Sequence, residues 1–119
     1  MERGTISISK SGISIMGTNI WMTDYEITDL LGVTLSAVRN HVKSIFKSEV
    51  LSESGTYRYI LLENGNRADA YNMEMITALA FRLNSLSAQI FREWVVRKAV
   101  TPLRSAAPIV LQIGNGFPC

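Results

Sequence analysis

The sequence predicts an α+β fold of about four helices and two β-hairpins. Three observations predict it. Trp21 to Lys47 reads as two helices joined by a tight turn. Hairpin signatures occupy residues 5–16 and 57–71. Residues 73–83 and 86–99 repeat their apolar side chains at helical spacing. A helix-turn-helix followed by a hairpin is the order of a winged helix-turn-helix, expected here over residues 1–104, with 105–119 as a tail.

The elements follow in order. Thr5–Ser9 and Gly12–Met16 alternate, with isoleucines on one face. Such a hairpin is marginal alone, so it is expected to pack on the helices. Gly17 to Asn19 reads as a loop, and Trp21 as an anchor for the start of the first helix. Thr23 with Glu26 fits a capping box, so that helix is placed at 24–31, and Gly32 ends it. Thr34 caps the second helix, 35–47, which buries Val38, Val42, Ile45 and Phe46. Ser36, Arg39, Asn40, Lys43 and Lys47 fall mostly on its other side. Ser48 to Gly55 is a polar loop. Tyr57 to Leu62, the Asn64–Gly65 turn and Arg67 to Tyr71 make the second hairpin. Asn72 caps a third helix whose apolar face carries Met73, Ile76, Ala80 and Phe81. Ser85 caps a fourth, with Leu86, Ile90, Phe91, Trp94 and Val95 inward. Arg92, Arg97 and Lys98 lie off that stripe, as a solvated face or a second phosphate-contacting patch. Pro102 is expected to end the helical region. Ser105 to Pro108 then reads as a linker, and Ile109–Ile113 as a strand and candidate dimer contact.

The two central helices differ in charge. The first carries Asp24, Glu26 and Asp29; the second carries Arg39, His41, Lys43 and Lys47. A basic, short-polar second helix is what DNA reading requires: Arg, Asn and Ser reach base edges, and Lys reaches phosphate. Arg58, Arg67 and the Asn64–Gly65 tip are candidates for backbone contact. The plainer alternatives are a helical hairpin with a solvated basic face, and a β-hairpin that only covers the core.

Composition bounds these readings. A chain of 119 residues suits one domain, and 47% apolar residues suffice for a small core. At 18% charged it is no disordered polyelectrolyte, and a net charge of +2 carries no argument for nucleic acid without its distribution. The single cysteine, Cys119, cannot form an intramolecular disulfide and fits a reducing, cytoplasmic setting. No apolar run approaches the ~20 residues of a membrane span, and MERGTISISK has no signal core.

Several segments together resemble the RhuM family, named for a virulence-associated bacterial protein and found on mobile elements. They are IWMTDYEITDLLGV, SAVRNHVKSIFK, YNMEMITALAFRLNS and FREWVVRKAV, spanning about Ile20 to Val100. The most specific pieces are His41-Val42-Lys43 with Ile45-Phe46-Lys47, and Phe91-Arg92-Glu93-Trp94. Phage-related Bro/KilA N-terminal domains are more distantly similar. The resemblance implies a DNA-binding-type domain. Leu35 and Ala37 depart from it, standing where the family carries more polar or basic residues.

No catalytic set is visible. The one histidine, His41, sits at the edge of an apolar stripe and reads as a packed, hydrogen-bonded side chain. It has no second histidine or nearby cysteine at zinc-ligand spacing. GNGFPC lacks the following helix of a phosphate loop. The acidic residues of the first helix suit its dipole without a chemical task. The expectation is sequence-specific binding of double-stranded DNA by a transcriptional or mobile-element regulator, without enzyme activity, cofactor, metal or membrane. The second helix would enter the major groove, and a homodimer is the expected assembly. The rival is a protein-interaction module of a toxin- or virulence-associated system.

Overall fold

Isoleucine alternation at the N-terminus forms the first sheet. Strands β1 (Thr5–Ser9) and β2 (Gly12–Met16) pair antiparallel with Ile6 opposite Ile15 and Ile8 opposite Ile13. Ile6 is buried, and the other three isoleucines pack partly buried against the helical core. The computed structural model describes residues 3–9 and 11–106, with side chains as far as 100.

The second sheet is built around the two central helices. Strand β3 (Trp21–Thr23) runs into helix α1 (Asp24–Leu31), followed by α2 (Leu35–Lys47), β4 (Tyr57–Leu61) and β5 (Arg67–Asn72). The sheet order is β3-β5-β4, antiparallel throughout. The strand before the helix pair thus joins the hairpin after it and clamps that hairpin to the domain. Sequence reading placed no strand at 21–23, because three residues carry no usable period. Helix α3 (Met73–Arg82) leaves β5 directly, and α4 (Leu86–Ala106) closes the domain.

Local chemistry explains the boundaries. The capping box at α1 is complete: Thr23 Oγ1 accepts from the Glu26 N–H (3.1 Å), and Glu26 Oε1 accepts from the Thr23 N–H (2.8 Å). Gly32 stops α1 at φ 64, where a side chain would be strained. Thr34 and Asn72 cap α2 and α3, accepting from the N–H groups of Ala37 and Met75. Ser85 accepts from the Ala88 N–H at the start of α4 and donates to the Leu31 carbonyl, tying α4 to the end of α1. Ile27, Leu31, Val38, Ile45, Met75, Ile76, Leu79 and Phe91 are fully buried, so all four helices share one core.

Several expectations need correction. Helix α4 runs through Pro102 to Ala106, so Ser105 and Ala106 belong to the helix rather than a linker. Proline removes its own N–H donor and crowds the carbonyl one turn back, which weakens or kinks a helix without having to end it. The expected strand at Ile109–Ile113 lies outside the described residues. Phe81 and Leu86 are 52% and 73% exposed, because α3 buries the Met75–Ile76–Leu79–Ala80 face and α4 the Ala88–Phe91 face. Arg92 is neither solvated nor a phosphate patch: its Nη1 donates to the carbonyls of Ala80 and Leu83, both at 2.8 Å, closing the end of α3. No helix among the described residues is long and apolar enough to cross a membrane.

Candidate nucleic-acid interface

Helix α2 has two unlike faces. Val38, Val42 and Ile45 point into the core, with Val38 and Ile45 at zero exposure. Ser36, Asn40, Lys43 and Lys47 are exposed on the other side. Their spacing puts them within one narrow stripe about 16 Å long by the helical rise. None of the four side chains takes part in a hydrogen bond or ion pair among the described residues.

Arg39 has a different environment. Asp24, the first residue of α1, has a side chain only 3% exposed. Its Oδ2 accepts from Arg39 Nε at 3.0 Å and its Oδ1 from the Tyr25 N–H at 2.9 Å. The Arg39 guanidinium also lies 5.6 Å from the centre of the Tyr25 ring. The hydrogen bond to Asp24, then one to Tyr25, raises the arginine's pKa above its ordinary value. A carboxylate this buried needs a cation and donors around it. Drawing Arg39 away to a base edge would strand Asp24. Arg39 therefore sets how α2 sits on α1, a role that no local sequence signal gives.

A second ion pair holds the outer end of α1. Arg3 Nη1 and Nη2 grip Glu26 Oε1 and Oε2 at 2.6 and 3.2 Å, and Nη1 also donates to the Trp21 carbonyl. Burial pushes the Glu26 pKa up, but hydrogen bonds from Arg3 and the Thr23 N–H outweigh it, and the net is below the usual carboxylate range. Arg3 precedes every predicted element, so nothing in the sequence singled it out.

The hairpin separates its two arginines. Leu61 opposes Arg67, Tyr59 opposes Asp69 and Tyr57 opposes Tyr71, so these six share one sheet face. That face meets α2, where the Tyr71 and Phe46 rings lie 6.5 Å apart. Arg67 is exposed there, 4.6 Å above the Tyr59 ring. Arg58 opposes Ala70 on the other face, half-buried and 4.0 Å from the centre of the Trp21 ring. It lines a surface hollow of about 710 Å³ together with Arg3, away from α2. Of the seven residues singled out, Ser36, Asn40, Lys43 and Lys47 form one stripe, Arg67 stands on the neighbouring sheet face, Arg39 is tied to α1, and Arg58 lies opposite.

His41 is half-buried and makes no side-chain hydrogen bond among the described residues. No group of three or more His, Cys, Asp or Glu there is arranged to hold a metal ion. Fold and site together define a small α+β domain, with four helices and two antiparallel sheets among the described residues and a polar helical stripe left open. Comparison with protein-family models, curated proteins and solved structures found no match to this chain.

Proposed function

We propose that the chain binds double-stranded DNA, with α2 in the major groove, as a regulator of transcription or of a mobile element. The observation that carries this is the stripe Ser36–Asn40–Lys43–Lys47. It is exposed and unpartnered, and it is backed by a fully packed inner face that holds the helix rigid. Two lysines one turn apart suit phosphates, and Ser and Asn suit base edges. The hairpin clamped by β3 supports a winged-helix reading, with Arg67 as the backbone contact beside the helix. The RhuM resemblance of Ile20–Val100 points the same way. A gel shift with random-sequence duplex at two salt concentrations tests it. Retarded DNA at low salt that is released at high salt is expected, and no retardation at either concentration would contradict it.

A second reading, a protein-interaction module, has its own observation. Phe81 and Val96, each about half exposed, flank an apolar groove bordered by Arg92, Glu93 and Arg97 between α3 and α4. That groove is separate from the α2 stripe, so a dimer or partner contact there is compatible with DNA on α2.

A further inference from the structure

We infer that α2 reads an A·T pair through Asn40, and that Arg39 is a positioning residue rather than a guanine reader. This rests on the DNA-binding reading above. Guanine presents two acceptors, O6 and N7, and is matched by two donors from one guanidinium. Adenine presents an acceptor beside a donor, N7 and N6, and is matched by one carboxamide. The arginine on α2 is half exposed, but its Nε donates to the buried Asp24 carboxylate and its guanidinium lies 5.6 Å from the centre of the Tyr25 ring, so turning it to a guanine would give up that ion pair. The hairpin arginines lie over Trp21 and Tyr59 instead. Lys43 and Lys47 are compact point charges suited to phosphate. Asn40 is the carboxamide of the exposed stripe. It sits at mid-helix between Ser36 and Lys43, and its oxygen and amino group have no partner among the described residues. A helix lying along the groove floor brings such a central residue to the base edges.

The test is selection of bound duplexes from a randomised library. The full chain is compared with Asn40→Ala, Arg39→Ala and Arg39→Lys, and melting temperature is recorded for each. The wild-type selection should contain an A·T pair whose change to G·C weakens binding by roughly 5- to 150-fold. Asn40→Ala should erase the preference at that pair and leave the melting temperature in place. Arg39→Ala should weaken all duplexes by a similar factor, keep the selected sequence, and melt earlier. Arg39→Lys should recover part of both losses by restoring a cation to Asp24. A G·C position lost only in Arg39→Ala, with Asn40→Ala silent, would overturn the inference while leaving DNA binding intact. Salt-sensitive binding with no selected sequence would also overturn it. A wild-type chain that retains no duplex would overturn the DNA-binding reading as well.

Discussion

Helix α2 and the β4–β5 hairpin both carry basic residues, yet they hold them in opposite ways. On α2 the ammonium groups of Lys43 and Lys47 make no hydrogen bond, ion pair or ring contact among the described residues. On the hairpin both guanidinium groups lie over aromatic rings, Arg58 on Trp21 and Arg67 on Tyr59, and on opposite faces. The difference teaches that a cation's task is set by its nearest carboxylate and by the face it occupies, since a guanidinium stacked on a ring, as Arg67 is on Tyr59, still offers its N–H edge. Arg39 makes the same point within α2 itself, one residue from Asn40 and bound to a buried carboxylate.

The largest expected effect lies beneath the stripe. Ile45→Ala opens a cavity in the packed side of α2 and should cost about 2–5 kcal/mol in a denaturant titration. Asn40→Ala on the outer side should stay within roughly 0.5 kcal/mol. Equal losses at the two positions would erase the two-faced picture of the helix. Next comes the hairpin. Arg58→Ala removes a half-buried stacked cation and should lower stability by about 1–2 kcal/mol without changing the salt dependence of DNA binding. Arg67→Ala should cost less stability and flatten that salt dependence. The reverse pattern would exchange the two faces. The smallest effect is at the outer end of α1. The Glu26 pKa is depressed on folding, so its contribution is present above the ordinary value of 4.5 and is lost as pH falls through the folded value. Arg3→Ala should therefore lower the melting temperature modestly near neutrality and flatten its loss below about pH 4.5, so that variant and wild type converge in acid. An unchanged acid profile would detach Arg3 from that role.

How much of this was legible in the sequence depended on the range of the signal. Thr23 with Glu26, Gly32, Thr34, Asn72 and Ser85 act on backbone groups within a turn, and they located α1, α2 and the starts of α3 and α4. Alternation gave the first hairpin and its inward isoleucines, and the Asn64–Gly65 turn after an aromatic, β-branched run gave the second. Strand β3 was missed because its identity comes from pairing with β5, far along the chain. Pro102 misled because a proline weakens a helix without always ending it. At the candidate site, helical spacing was enough to place Ser36, Asn40, Lys43 and Lys47 together. It could not show that Asp24 reaches across from α1 to take Arg39, nor that Trp21 takes Arg58, because those partners are neighbours only after folding.

The central claim, that the stripe on α2 meets the DNA backbone, is tested most directly by a salt titration of duplex affinity for the wild type, Lys43→Ala and Lys47→Ala, with Arg58→Ala as the cation on the far face. Each lysine substitution should lower affinity alike on every sequence and shrink the log–log salt slope by about 0.9, while Arg58→Ala leaves the slope in place. Lysine variants that keep both the affinity and the slope of the wild type would contradict the account and move the DNA-contacting surface off α2.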